Sequence, residues 1–487
     1  MLKMLVRTIR DIKNGAKKGF SSLLRRSFSV WSGTVVDMGN KDGELRVFMV
    51  AGEVSGDSIA SRLMESLKKL SPLPIRFSGV GGPRMSKEGL ESLFPMEDIS
   101  VMGMWELLPH LNKFRVRLKE TIEGAILFRP HVIVTVDSKG FSFRLLKQLR
   151  ARYGWQELNG PLHFHYVAPS FWAWKGGEAR LKGLANFVDH ILCILPNEEA
   201  VCKLNGLDAT FVGHPVLEDI VEFNLGKQAS PHDLKIEGNS EDFRRKYALS
   251  PGFVFGHASS ICPSIEVASL KGAAVISLLP GSRLQEVIRM LSIFSHTFDQ
   301  LKDSIPELIT VIHVASNQHV ENYIDGVIHK WPVPAILIPG GHQHLKYDAF
   351  SASRIALCTS GTVAMELQLA RLPCVVAYRA HILTEWYIQY KAKIPYISLP
   401  NILTDSAIIP EALFQACTPT NLASMLMKLM HNKRLQEEQI VAAENVIKLL
   451  FPSERIINNL EEQMEWKFPN FTPSMIASST ILSHVKS

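Results

Sequence analysis

The chain has 487 residues, 46% hydrophobic and 21% charged, which is the composition of an ordinary globular protein and a length suited to two core domains. It has no uninterrupted apolar run of ~18 residues, so no transmembrane helix is expected, and its six cysteines show no C-x-x-C spacing, which argues against a zinc site or a disulfide frame. The net charge of +6 is unevenly placed: residues 1–29 carry eight Lys and Arg against Asp11 alone, so the rest is near neutral and makes no case for nucleic-acid binding.

That basic leader is rich in Ser and apolar residues and ends near Arg26-Ser27-Phe28-Ser29. It reads as a mitochondrial transit peptide, with disordered chain to residue 43. A regular alternation follows. Residues 47–51 predict a buried strand, Gly52-Glu53-Val54-Ser55-Gly56-Asp57 a turn, and 58–70 a helix. Further strands are predicted at 75–80, 131–137, 162–168, 190–195 and 210–213, with helices at 112–128 and 141–153. Short apolar runs separated by helices are the mark of a parallel sheet covered on both faces. These elements define a first domain over 44–220.

Residues 221–271 are polar, without a clear period, and read as linker or insertion. The alternation restarts at 275–279 and continues at 309–315, 334–338, 355–358, 374–378 and 396–399, giving a second domain over 272–450. Residues 421–450 predict helix. The tail, 451–487, is expected to fray beyond Ser474. The fold class is therefore α/β: two doubly wound domains whose carboxyl strand ends face a common cleft.

Two turns in the second domain have the strand–turn–helix form that presents backbone N–H groups to an anion. They are Leu279-Pro280-Gly281-Ser282-Arg283 and Ser360-Gly361-Thr362. Gly281 lets the backbone approach a phosphate, and the Arg283 guanidinium suits bidentate binding. Two such turns suggest a diphosphate, hence a nucleotide-linked substrate. Glu366, one helical turn past Thr362, suits a sugar diol or a solvated face equally well. In the first domain, Asp137 ends the run Val132-Ile133-Val134-Thr135-Val136. It reads as a general base with a raised pKa or as the N-cap of the following helix. His163, His165, His342 and His344 lack metal-ligand spacing, and no D-x-D triplet occurs, so no metal is expected to hold the diphosphate. The stripe at 101–109, apolar, Met-rich and with a Trp at 105, reads as core or as a membrane-dipping patch.

Together these residues resemble the lipid-A-disaccharide synthases, glycosyltransferase family 19 of the GT-B fold with two Rossmann-like domains. The resemblance runs from about residue 46 to 450. It rests on Ala51-Gly52-Glu53-Val54-Ser55-Gly56-Asp57, Gly79-Val80-Gly81-Gly82-Pro83-Arg84-Met85, Val101-Met102-Gly103, Tyr166-Val167-Ala168-Pro169-Ser170-Phe171-Trp172-Ala173-Trp174, Phe211-Val212-Gly213-His214-Pro215, the two anion turns with Glu366, and Ser398-Leu399-Pro400-Asn401, in family order.

The resemblance implies that UDP-2,3-diacylglucosamine donates its sugar to the 6-hydroxyl of 2,3-diacylglucosamine 1-phosphate, with inversion and without cofactor or metal. It assigns the general base to Asp137, the diphosphate-binding arginine to Arg283 and a nucleotide contact to Asn401; Gly281, Ser282, Ser360, Gly361, Thr362 and Glu366 complete the expected nucleotide–diphosphate site. Ser55, Gly56, Asp57 and Trp172 are expected on the acceptor side of the cleft. The implied setting is mitochondrial and peripheral on a membrane, with a homodimer left open. One departure stands out: Asp137-Ser138-Lys139-Gly140-Phe141-Ser142 lacks the Pro, second acid and Asn of the family's loop. Two alternatives stay open, another UDP-sugar enzyme of the same fold and an inactive nucleotide- or lipid-binding relative.

Overall fold

A computed structural model describes residues 34–100, 111–155, 160–224, 234–248, 274–305, 307–452 and 472–485. The leader to residue 33, the 101–109 stripe and the insertion around 252–271 lie outside the described residues.

The first sheet has seven strands: β1 (Leu45–Ala51), β2 (Ile75–Val80), β3 (Glu91–Ser92), β4 (Val132–Val136), β5 (Leu162–Tyr166), β6 (His190–Cys193) and β7 (Ala209–Phe211). They run parallel in the order β3-β2-β1-β4-β5-β6-β7. The second sheet holds β8 (Ala274–Leu279), β9 (Leu308–His313), β10 (Ala335–Ile338), β11 (Ile355–Cys358), β12 (Cys374–Tyr378) and β13 (Glu411–Leu413). It is also parallel, in the order β10-β9-β8-β11-β12-β13. Residues of β4, β5, β9 and β11 are buried on both faces, which is why these segments are apolar runs and not alternations.

In each sheet the strand order reverses once, between β1 and β4 and between β8 and β11. Ala51 pairs with Val136 at the first reversal and Leu279 with Cys358 at the second. The turns that leave these strands are therefore side by side at the carboxyl edge, where a crevice opens in doubly wound sheets.

Three expectations are corrected. Residues 396–399 form no strand. The N–H groups of Ile397 and Ser398 donate to the Glu411 carboxylate at 3.1 and 2.9 Å, and a helix follows over Leu399–Thr404 with Pro400 in its first turn. The sixth strand is β13 instead. Residues 240–248, within the stretch read as linker or insertion, form a helix that buries Phe243 and Tyr247.

The chain termini are the third correction. Residues 35–40, expected within a disordered leader, form a helix capped by Thr34, with Val35 fully buried. The end of the chain does not fray beyond Ser474; Pro473–Ser483 is a helix. Ile476, Ala477 and Ile481 pack into the core of the first domain with Leu63 and Leu67. Ser474 donates to Glu218 from its N–H and hydroxyl at 2.8 and 3.1 Å, and the Val35 N–H donates to the His484 carbonyl at 3.1 Å. This helix carries no charge and mixes apolar and hydroxyl side chains around its whole circumference, so it lacks the amphipathic period that marks a surface helix. Truncating Ile481, fully buried, to Ala should destabilise the first domain by about 3 kcal/mol. A urea midpoint unchanged from wild type would mean the terminal helix is not packed as described.

The two domains meet along an apolar seam in which Leu195, Val216 and Ile220 pack with Tyr347, Met365 and Leu450. Above it, the Tyr347 hydroxyl donates to Asp219 at 3.3 Å, and Asp219 accepts from Arg62 at 2.7 Å.

Candidate active site

At the carboxyl end of β4 the backbone turns sharply. Asp137 and Ser138 have φ of +48° and +46°, a left-handed pair without glycine that costs about 1–2 kcal/mol per residue. Two contacts hold it: the Asp137 N–H donates to the Tyr166 carbonyl at 3.0 Å, and the Ser142 hydroxyl donates to the Asp137 carbonyl at 2.8 Å. Gly52 completes the fit. A Cβ there would come within 2.5 Å of the Ser138 hydroxyl and 2.8 Å of its Cβ, so only glycine lets the turns after β1 and β4 nest. The next helix starts at Lys139, with the Phe141 and Ser142 N–H groups on the Ser138 carbonyl. Asp137 is therefore not spent as its N-cap. Among the described residues no hydrogen-bond donor meets its carboxylate.

Arg283 lies across the cleft, after β8. Its Nη2 is 3.1 Å from Oε2 of Glu53, the residue after Gly52. Burial raises the Glu53 pKa; Arg283 opposes that and the nearby Asp137 charge adds to it. Asp137, Glu53 and Arg283 thus form one electrostatic group that joins both domains. Lys139, in the altered loop, adds a half-buried cation whose charge reaches Glu53 and Glu198.

In the first anion turn, Gly281 has φ +113°, and a Cβ there would meet the Glu286 carboxylate at 2.5 Å. Burial raises Glu286, with Arg283 and the Ser282 N–H acting against it. A carboxylate thus lies against this turn, and Ser282 beside it is exposed. In the second turn, Gly361 has φ +132° with open space around it, and Thr362 is exposed while Ser360 is half-buried. Glu366 sits below, 3.0 Å from Lys346 Nζ; burial raises its pKa and Lys346 opposes the shift. Beyond β10 an open cavity of about 870 Å³ is lined by Pro339, Gly340, Gly341 and His342, together with Arg84 of the first domain and Glu222 just after it.

Other candidates turn out to be inside the protein. Asn401 is fully buried: its Nδ2 donates to the Ile409 carbonyl and to Glu411 at 2.8 and 2.9 Å, and its Oδ1 accepts from the Ile409 N–H at 2.8 Å. It fastens the segment before β13 and offers no amide donor to a nucleotide. Asp57 is 3% exposed and accepts from the N–H groups of Gly82, Arg84 and Met85 at 2.9–3.0 Å. It anchors the turn after β2 and does not face the cleft. Gly56 is buried against Ala51 and Val136, a packing position, whereas Ser55 is exposed at the start of the helix Val54–Leu70.

Trp172 is half-buried, packs on the interdomain seam and donates from Nε1 to Glu198 at 3.4 Å. Burial pushes Glu198 up to about 7 from 4.5, despite N–H donation from Leu195 and Ile194. The folded state therefore holds a proton there that the unfolded chain has released above about pH 4.5. Its stabilising effect is complete below that pH and is lost as pH rises through 7, a term of about 3 kcal/mol. Between pH 5 and 8 wild type should lose denaturation stability relative to Glu198→Gln; parallel pH profiles would contradict the assignment.

The family model described as Lipid-A-disaccharide synthetase matches residues 47–242 and 265–467. An Arabidopsis thaliana protein named as a probable mitochondrial lipid-A-disaccharide synthase is 62% identical over 454 residues, covering 93% of this chain and 94% of its own. The lipid-A-disaccharide synthase of Rhodospirillum centenum is 38% identical over 406 residues, covering 83% of this chain and 90% of its own. Among solved structures, a Neisseria meningitidis UDP-GlcNAc 2-epimerase bound to UDP-GlcNAc has a TM-score of 0.51 at 11% identity, covering 86% of this chain and 99% of that one. The S. aureus MnaA–UDP structure has a TM-score of 0.51 at 13% identity, covering 88% and 99%. At such identities the likeness is one of fold, the GT-B arrangement of two Rossmann-like domains. With a matched family model and curated relatives along most of its length, the chain belongs to the lipid-A-disaccharide synthase family.

Proposed function

We infer that this protein is an inverting glycosyltransferase that condenses UDP-2,3-diacylglucosamine with 2,3-diacylglucosamine 1-phosphate, releasing UDP and the β-1,6-linked lipid A disaccharide 1-phosphate. The observation that carries the reading is the convergence of Asp137 and Arg283 on Glu53 at the two strand-order reversals. The acceptor 6-hydroxyl attacks the anomeric carbon on the face opposite UDP, and Asp137 takes its proton. The bond from the anomeric carbon to the diphosphate oxygen breaks as the new one forms. Arg283 and the N–H groups of the Gly281–Arg283 turn receive the departing charge. The cavity beyond β10 has the size and place for the nucleoside end of the donor, with Ser360, Gly361 and Thr362 facing the remaining phosphate and sugar.

The basic, Ser-containing stretch at residues 1–29 and an Arabidopsis relative named as mitochondrial support a mitochondrial location. Acylated substrates and the lack of any described helix long and apolar enough to cross a membrane support peripheral attachment to a membrane surface. The test is incubation with both acylated substrates in detergent micelles. The disaccharide 1-phosphate and UDP should appear in equal amounts and persist in EDTA. UDP release with a non-acylated acceptor alone, or donor binding without turnover, would overturn the reading.

A further inference from the structure

The helix Ile382–Lys391 follows β12 at the rim of the cleft. Ile382, Trp386 and Tyr390 repeat every fourth residue and are 64%, 70% and 62% exposed, with Tyr387 beside them at 45%. Side chains at this spacing share one face of a helix. The opposite face is anchored: Glu385 is 3% exposed, accepts from the Ala380 N–H at 3.0 Å and pairs with Arg379 at 3.3 Å. Such a cluster of large apolar side chains is unusual on a surface that meets only water.

The platform is rigid, because the helix is stitched to the other domain. The Lys175 N–H donates to the Lys391 carbonyl and the Lys393 N–H to the Ala173 carbonyl, both at 2.8 Å, with a Trp174–Ala392 bridge between them. Trp386 and Tyr390 stack with centroids 6.2 Å apart, and Trp174 lies 6.1 Å from Tyr387. Cations frame the rings. Lys175 and Lys391 place Nζ 5.7 and 5.6 Å from the Tyr390 centroid, and Lys393 pairs with Glu178 at 3.0 Å. Aromatic rings with polar edges, framed by long-stemmed cations, suit the boundary between headgroups and acyl chains and complement an anionic surface.

We propose that this face, formed by Ile382, Trp386, Tyr387 and Tyr390 with Lys175 and Lys391, docks the protein onto an anionic lipid bilayer, presenting the cleft mouth to acylated substrates. The inference rests on the peripheral-membrane reading above and specifies which surface makes the contact. None of these side chains belongs to the Asp137–Glu53–Arg283 group, so docking is separable from chemistry.

The test uses the full chain with phosphatidylcholine vesicles, with and without phosphatidylglycerol. Binding is read by flotation, and ring depth by tryptophan quenching from brominated acyl chains. Wild type should float with the anionic vesicles and show quenching that is absent in Trp386→Phe. Trp386→Ser with Tyr390→Ser should bind about tenfold more weakly, yet release UDP normally from detergent-dispersed substrates. The basic leader contributes equally to both proteins, so the difference reports this face. If wild type and the double variant bind alike, with equal quenching in Trp386→Phe, the proposal fails and the membrane reading survives. If wild type binds no vesicles, both fail. If the double substitution abolishes self-association and leaves vesicle binding unchanged, the face covers a second copy of the chain and the proposal is overturned.

Discussion

Asp137→Asn should lower the rate of disaccharide formation about 10³-fold, equivalent to about 4 kcal/mol of transition-state stabilisation. The substitution keeps shape and volume but removes the acceptor for the hydroxyl proton. Its effect on stability should be small, because among the described residues the carboxylate receives no hydrogen bond; the backbone of Asp137, which does make contacts, is untouched. It also removes a negative charge that raises Glu53, so Glu53 should titrate at lower pH in the variant. Donor binding, measured by calorimetry with UDP, should stay within a few-fold of wild type. A variant that transfers sugar at the wild-type rate would remove Asp137 from the chemistry.

Arg283→Ala should lower kcat/KM about 10²–10³-fold, through loss of charge-assisted bonds to the leaving diphosphate. Arg283→Lys should recover part of this, because it keeps the charge and loses the fork. The variant carries a second signature. Glu53 is 15% exposed and has Arg283 as its ion-pair partner. Without the guanidinium it stays buried beside Asp137, and its pKa should rise further. The acid limb of the pH–rate profile should then move upward in Arg283→Ala and return when Glu53→Gln is added. A profile that keeps its position in the single variant would show that Glu53 and Arg283 are not coupled as described.

Local pattern made much of this legible in the sequence. Each half reads as strands separated by helices, and Asp137 and Arg283 were visible because each follows a continuous apolar strand. What escaped depends on contacts between distant segments. Glu53 sat in a recognised motif, but its partner is 230 residues away. The left-handed turn at Asp137 and Ser138 has no glycine to announce it; the signal was Gly52, which leaves room for it from another strand. Asn401 and Asp57 carry the polarity expected of ligand-binding side chains, and only the fold reveals that backbone N–H and carbonyl groups already occupy them. The segment 396–399 has strand-forming residues, yet a carboxylate takes its N–H groups before a ladder can.

The central claim is that one cleft brings the base and the diphosphate arginine to a single reacting centre. An experimental structure with UDP and the acylated acceptor tests it most directly. A β-phosphate oxygen should lie within hydrogen-bond distance of the Arg283 guanidinium and the Ser282 N–H, with Glu53 displaced from Arg283 and the acceptor 6-hydroxyl on the Asp137 carboxylate. UDP bound elsewhere, with the Glu53–Arg283 pair intact and Asp137 facing only solvent, would contradict it.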